Sequence, residues 1–246
     1  MLSGIRVGKF TSSQIYKLML KGRGKNPSVR TLEYIEEVKI ERRLGRRLNS
    51  NESSRPTSWG SVIESRVATI LAGDNPFEYK YASSDTLTHP TISDWCGTPD
   101  LVGADKVADI KCPYTLKSFV KLSDICLAQD SDKLKQQFPE YYWQLVSNAI
   151  ITGKDKAELI VYCPYQSELD SIRENIANLD DTDLQTDSQW IAFSPDEKLP
   201  YLPDGGYYHN LNRFEFVVTV EDKNLLTQAV ENASQQLDDC SQKEVL

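Results

Sequence analysis

The stretch GTPDLVGADKVADIKCP, residues 97–113, decides how this chain is read. DLVG and KVADIKCP alternate as strands do, and Gly103 to Lys106 supply a turn between them. In the second strand Val107, Asp109 and Lys111 share one face, while Ala108, Ile110 and Cys112 share the other. Asp100 follows Pro99 at the start of the first strand, so a fold-back at 103–106 brings it towards Asp109. Buried charges are costly unless paired or bound to metal. Two carboxylates at one point repel, and a bound Mg²⁺ or Mn²⁺ relieves that repulsion. Oxygen donors of this kind suit hard cations better than zinc. A lysine beside them can orient or deprotonate a water, or neutralise charge developing on a phosphate. Read alone the pattern is loose, and an exposed hairpin with a surface salt bridge is the simpler account.

Two helices add to it. In WGSVIESRVATILAG, Glu64 falls on the face of Val67, Ala68 and Leu71, so a carboxylate on an apolar stripe needs a partner inside. The alternative is a Glu at the stripe's edge, paired with Arg66 or another neighbour. PEYYWQLVSNAIITG is a strong helix, with Pro139 suited to its first turn and Gly153 to its C-terminal cap. Tyr141, Gln144 and Asn148 form a polar stripe along it, which gives the helix a wet side or simple amphipathicity.

Elsewhere the pattern alternates helices and strands. Thr11, Ser12 and Ser13 offer N-cap hydroxyls for a helix carrying Ile15, Leu18 and Met19. A second helix is expected over about 30–47, with Leu32, Ile35 and Val38 on one side, and a third over about 59–72. NSNESSRPTS reads as a polar connection. EYKYAS, TISDWCGTPDLVG and KVADIKCP read as consecutive strands, residues 115–137 as polar and helical, AELIVYCP and RFEFVVTV as strands. NLDDTDLQTDSQ is an acidic loop or weak helix, and DKNLLTQAVENASQQL a final helix. The expected fold class is α/β (α+β), a central mixed sheet flanked by helices in one domain.

Composition bounds the function. The 246 residues carry a net charge of −8, but residues 1–50 hold 12 Lys and Arg against 4 Glu, a net +8 that leaves −16 for the rest. Such asymmetry gives a local positive surface suited to nucleic acid, or a solvated helical face of mixed sign. No apolar run is long enough for a membrane span, and the N-terminus lacks the apolar stretch of a secretory signal. The five cysteines are scattered, which suggests free thiols in a reducing cytoplasm.

Together, WGSVIE, GTPD, DIKCPYT and YYWQL…TG occur in the order and approximate spacing of the PD-(D/E)xK nucleases, and the chain most resembles their lambda-exonuclease branch, the YqaJ-like viral recombinases. IRVGKFTSSQI resembles this branch's opening motif, an Arg followed seven residues later by a Ser. The resemblance runs from about Arg6 to Pro164. It implies a catalytic core over 59–164, a DNA-contacting segment over 1–50 and an acidic strand-and-helix extension over 165–246. Asp100 and Asp109 would be metal ligands with the Ile110 carbonyl, Glu64 would complete the site, Lys111 would activate the attacking water, and Gln144 would position that water or Lys111. Two Mg²⁺ per site are implied, with Mn²⁺ as a substitute. Arg6, Ser13, Thr98 and Lys117 sit where contacts to a 5′-terminal phosphate occur. Thr98 replaces a Ser there, Lys117 an Arg, and Asp109 a Glu. Lys binds phosphate as a point charge and not as a fork. The implied activity is 5′→3′ digestion of double-stranded DNA ends in phage or prophage recombination, by a cytoplasmic homotrimer with a single-strand annealing protein as candidate partner. A Cas4- or RecB-like nuclease on single strands, suggested by Gln137 and Tyr141 in a Q-x-x-x-Y pattern, is the alternative. Its iron–sulfur branch needs four cysteines with one near the N-terminus, whereas the first here is Cys96. A catalytically silent DNA-binding protein on the same fold is the third reading.

Overall fold

A computed structural model describes residues 3–24, 26–48 and 54–238. The connection NSNESSRPTS and Cys240 therefore fall partly or wholly outside the described residues. In chain order the elements are α1 (Ser3–Arg6), β1 (Phe10–Thr11), α2 (Val29–Leu44), α3 (Arg55–Asp74), β2 (Tyr79–Tyr81), β3 (Leu87–Thr88), β4 (Trp95–Gly97), β5 (Leu101–Gly103) and β6 (Lys106–Lys111). There follow α4 (Leu116–Ala128), α5 (Ser131–Gln137), α6 (Pro139–Thr152), β7 (Lys156–Tyr162), α7 (Leu169–Ile176), α8 (Thr182–Ala192), β8 (Leu211–Val217) and α9 (Val220–Asp238).

The main sheet runs β2-β5-β6-β7-β8, and a smaller one runs β1-β4-β3. β6 and β7 are parallel, and the other pairs of the main sheet are antiparallel. Alternation along the central strands divides the core in two. Val107, Leu159, Val161, Phe214 and Phe216 pack with Phe119 and Leu122 of α4, Leu145 and Val146 of α6, and Leu226 and Val230 of α9. Leu101, Ala108, Ile110, Ile160 and Tyr162 pack on the other face with Val62, Ile63 and Val67 of α3, Ile172 and Ile176 of α7, and Ile191 of α8. The mixed α/β class expected from the sequence is the one observed.

Four local expectations are corrected. TISDWCGTPDLVG is not one strand. It breaks after Gly97 and restarts at Leu101, and its halves belong to different sheets. Pro99 has no N–H to give a ladder, so pairing cannot run through it. Thr11, Ser12 and Ser13 do not cap a helix. Thr11 belongs to β1, Gln14 precedes a 3-10 turn over Ile15–Met19, and no side chain caps that turn. Residues 115–137 are two helices, separated at Gln129, which turns with φ 52°. Leu32 is exposed on α2, unlike Ile35 and Val38.

The small sheet docks the N-terminal segment. β1 lies parallel to β4, Phe10 opposite Trp95 and Thr11 opposite Cys96, and the Ser12 amide donates to the Cys96 carbonyl at 2.9 Å. Ser12 and Ser147 of α6 share a hydrogen bond of 2.7 Å, and Trp95 Nε1 donates to Ser147 Oγ at 2.8 Å. Gly97 lies under this contact. A methyl group there would fall on Ser12 Oγ and Asn148 Oδ1. Gly97→Ala is therefore expected to cost about 1–3 kcal/mol by overpacking, read as a lowered Tm. An unchanged Tm would show that the segment can shift aside.

Candidate active site

The site forms at the end of β5 and β6. Leu101 stands opposite Ala108 and Val102 opposite Val107, so the next position brings Asp100 level with Asp109 on the α6 face. Residues opposite one another in an antiparallel pair have Cβ atoms about 4.5–5.5 Å apart. Asp100 Oδ2 accepts the Ile110 amide at 2.7 Å, which locks the carboxylate against β6. Asp109 is fully buried. Its Oδ1 accepts from Gln144 Nε2 of α6 at 3.0 Å, and its Oδ2 is met by the Lys111 ammonium in an ion pair. The Lys111 ammonium also lies 5.2 Å from the centre of the Tyr141 ring. The Ile110 side chain packs into the α3 layer, so only its backbone can serve the site.

Glu64 comes from the other layer. Its stripe partners Val67, Ala68 and Leu71 are buried, and Glu64 is half-buried at the sheet's end. It does not pair with Arg66, which bonds Glu168 at 3.0 Å and Ser171 at 2.9 Å instead. The partner of Glu64 is Tyr81, whose hydroxyl donates to Oε1 at 3.3 Å.

Electrostatics tie these groups together. Burial first, then the Asp109 and Glu64 carboxylates, push the Asp100 carboxyl well above the usual range. Burial and then Asp109 push Glu64 up, against Lys111 and the Tyr81 hydrogen bond. Burial alone would lower Lys111, but Asp109 and Asp100 outweigh it and keep it an ammonium. Burial and the charges of Glu64 and Asp100 also push the Cys112 thiol well up. Among the described residues Glu64, Asp100 and Asp109 thus face one cation, Lys111, and the site carries excess negative charge that a dication would neutralise.

The donor set fits such an ion. Mg²⁺ is commonly held by one or two carboxylates, with water and phosphate oxygens completing the shell, and Asp100 with Asp109 supplies that minimum. Among the described residues no three His, Cys, Asp or Glu side chains already stand together as a ligand set. Glu64 is turned to Tyr81, and the Lys111 ammonium sits on Asp109.

The other predicted residues divide. The β1–β4 ladder ends at Thr11 and Cys96, and the chain turns through Ser12–Gln14, so Ser13 and Thr98 follow the two ends of the paired segment, Thr98 two residues from Asp100. Arg6 Nη2 donates to Ser13 Oγ at 3.4 Å, and Thr98 shares a hydrogen bond of 3.0 Å with Thr86. Arg6 is largely enclosed. Its Nε has no hydrogen-bond partner, and no carboxylate pairs with it among the described residues. Beside it lies a polar cavity of about 230 Å³ of mixed sign, in which Lys17 pairs with Glu37 and Arg47 with Glu41, while Lys9, Thr11 and Ser13 complete the near wall. Lys117 is exposed in the first turn of α4 and makes no hydrogen bond or ion pair with this group among the described residues. Gln137 is exposed at the end of α5 and makes no hydrogen bond among the described residues, while Tyr141 of the same Q-x-x-x-Y pattern lies beside Lys111.

Two residues escaped the sequence reading. Asn148 does not lie on a wet side. It is fully buried, its carboxamide has no partner among the described residues, and it abuts Gly97. Tyr81 was read only as part of a strand. The signal was there in EYKY, whose alternation puts Tyr79 and Tyr81 on one face, but only the pairing with β5 shows that this face meets Glu64.

The fold has solved counterparts. The crystal structure of LHK-Exo in complex with dAMP matches at TM-score 0.61 and 16% identity over 96% of this chain and 91% of that one. An alkaline exonuclease (LHK-Exo) from Laribacter hongkongensis matches at 0.61 and 15% over 98% and 96%. A phage-related exonuclease from Haemophilus somnus 129PT matches at 0.60 and 12% over 96% of each chain. This chain shares the fold of these exonucleases. No protein-family model and no curated protein matches its sequence.

The charge excess has a direct consequence. Asp100→Asn keeps the acceptor for the Ile110 amide and removes one negative charge. At pH 8 in chelator the variant is expected to be more stable than the parent, on the order of 1–3 kcal/mol, and to lose any stabilisation by Mn²⁺. A lower Tm in chelator would mean that Asp100 is structural.

Proposed function

We propose that this chain is a metal-dependent 5′→3′ exonuclease that digests double-stranded DNA from a 5′-phosphorylated end, leaves a 3′ single strand, and serves phage or prophage recombination. The observation that carries this reading is the meeting of Asp100, Asp109, Lys111 and Gln144 at one sheet end, with Glu64 reaching in from the opposite layer. The exonuclease fold of the solved counterparts raises its standing.

Asp100 and Asp109 would hold Mg²⁺, or Mn²⁺ in its place, with the Ile110 carbonyl and Glu64 completing the shell; the metal would activate water and stabilise charge on the scissile phosphate. The chain's own residues have distinct tasks. Gln144 fixes the Asp109 carboxylate through Oδ1. Lys111 is poised as an ammonium, the form that stabilises phosphate oxygens. To serve as a base it must first leave Asp109, because the ion pair holds its proton.

The end-recognition part rests on Arg6. A largely enclosed guanidinium with no ion pair among the described residues has room for an anion, and Arg6 shares its surroundings with Ser13 and the polar cavity that carries Lys9. A terminal phosphate beside Arg6, Ser13 and Thr98 meets that need. Lys117 joins them only if DNA draws it in. The proposal extends to a homotrimer around the duplex and an annealing-protein partner; light scattering with and without DNA reads the first.

Digestion of end-labelled linear duplexes tests the reading. Wild-type protein should require Mg²⁺ or Mn²⁺ and prefer a 5′-phosphate to a 5′-hydroxyl, and Asp109→Ala should be inactive. Near-normal metal-dependent digestion by Asp109→Ala would sink the site assignment, and preferred digestion of single-stranded substrates would favour the RecB-like alternative. Arg6→Ala should slow phosphorylated duplex far more than hydroxyl duplex. A charged contact is worth about 1.5–3 kcal/mol, roughly tenfold to a hundredfold in rate. Equal slowing of both substrates would reduce Arg6 to a holder of DNA backbone.

A further inference from the structure

The site contains one hydrogen bond with no counterpart in the roles above. Tyr81 ends β2, the edge strand beside β5, and pairs opposite Leu101. The next residue, Ala82, donates its amide to the Asp100 carbonyl at 2.9 Å. Tyr81 and Ala82 therefore touch both halves of the carboxylate group. The amide of one holds the backbone of Asp100, and the hydroxyl of the other holds the side chain of Glu64 at 3.3 Å.

Glu64 needs such a hold. It stands on a helix in the layer opposite Asp109 and Lys111, joined to the sheet by packing and not by a ladder. Its carboxylate faces two others of like charge, Asp109 and Asp100. A free Glu side chain has the torsional freedom to swing out to solvent and escape that repulsion. Tyr81 is its only hydrogen-bond partner among the described residues. Tyr81 is 45% exposed, so packing does not require a phenol at this position. Phe would fill the same space. What the hydroxyl adds is a donor aimed at a carboxylate.

We propose that Tyr81 is a positioning residue that holds the Glu64 carboxylate at the edge of the site, so that it reaches the divalent cation bound by Asp100 and Asp109 through a water. The inference rests on the metal-site reading above. One Glu64 oxygen is engaged by the phenol and the other is left for that water. This is how hydrogen-bonded neighbours of a ligand fix its orientation, and their loss typically costs 10–100-fold in metal affinity.

The test is Mn²⁺ binding by calorimetry, without DNA and without turnover, on wild type, Tyr81→Phe, Glu64→Gln, the double variant and Asp100→Ala. Tyr81→Phe should weaken Mn²⁺ binding about tenfold or more, with its Tm in chelator unchanged. Glu64→Gln should weaken it at least as much. The double variant should be no weaker than Glu64→Gln alone, because the phenol acts through that carboxylate; residues that act as a unit are not additive. A merely structural Tyr81 would lower the Tm and leave affinity alone. Normal affinity in Tyr81→Phe, with binding lost in Asp100→Ala, overturns this inference and leaves the metal site standing. Additive losses in the double variant also overturn it, since Tyr81 would then act without Glu64. Failure of the wild type to bind Mn²⁺ overturns the metal-site reading itself, and the inference with it.

Discussion

Between β5 and β6, Leu101 faces Ala108 and Val102 faces Val107, and everything at the site depends on that register. A slip of one residue would turn Asp109 and Lys111 towards α3 and send Ala108 and Ile110 to the other side, because side chains alternate with a period of two. The register is held by burial on both faces. Val107 belongs to the core under α4 and α6, and Leu101, Ala108 and Ile110 belong to the core under α3. No polar contact could impose this alignment alone. The apolar residues choose it, and the carboxylates are carried into place as the odd members of an otherwise hydrophobic pattern.

The arrangement works against stability. Among the described residues a fully buried Asp109, an Asp100 whose carboxyl is driven well up, and a half-buried Glu64 share the positive charge of Lys111. A sheet end devoted to packing would carry none of them. The contacts that offset the cost are themselves informative. The Ile110 amide serves Asp100, Gln144 serves Asp109, and Tyr81 serves Glu64. Each carboxylate thus has one neutral donor fixing its orientation, which leaves its other oxygen for something positive.

The sequence was legible where the argument is local. The alternation in 107–112 and the turn at 103–106 suffice to bring Asp100 to Asp109, and the spacing of Glu64 with Val67 and Leu71 suffices to turn it inward. It was illegible where a partner comes from far along the chain. Asn148 looked wet because its helix neighbours Tyr141 and Gln144 are polar, but Gly97 and Ser12 cover it. Thr11 to Ser13 looked like a cap because hydroxyls precede an apolar run. In the fold the Thr11 amide bonds the Tyr34 hydroxyl, and the Ser12 hydroxyl bonds Ser147. Reading TISDWCGTPDLVG, 91–103, as one strand hid a break between two sheets, although Pro99 marked it.

That break bears on the chemistry. GTPD is the link between the two sheets: Gly97 ends β4, Asp100 precedes β5, and Thr98 and Pro99 join them. A side chain at Gly97 would press on Ser12 and Asn148, and Pro99 limits its own φ and the conformation of Thr98. Two residues span at most about 7 Å. On the proposed reading, Thr98 lies with Arg6 and Ser13 at the end phosphate, and Asp100 lies at the metal. Their separation is then set by covalent geometry and not by a flexible side chain. An enzyme that removes nucleotides from an end must hold the end and the scissile phosphate at a constant spacing. A stiff link between two sheets, one buttressed by β1 and the other by β6, can do so at every cycle.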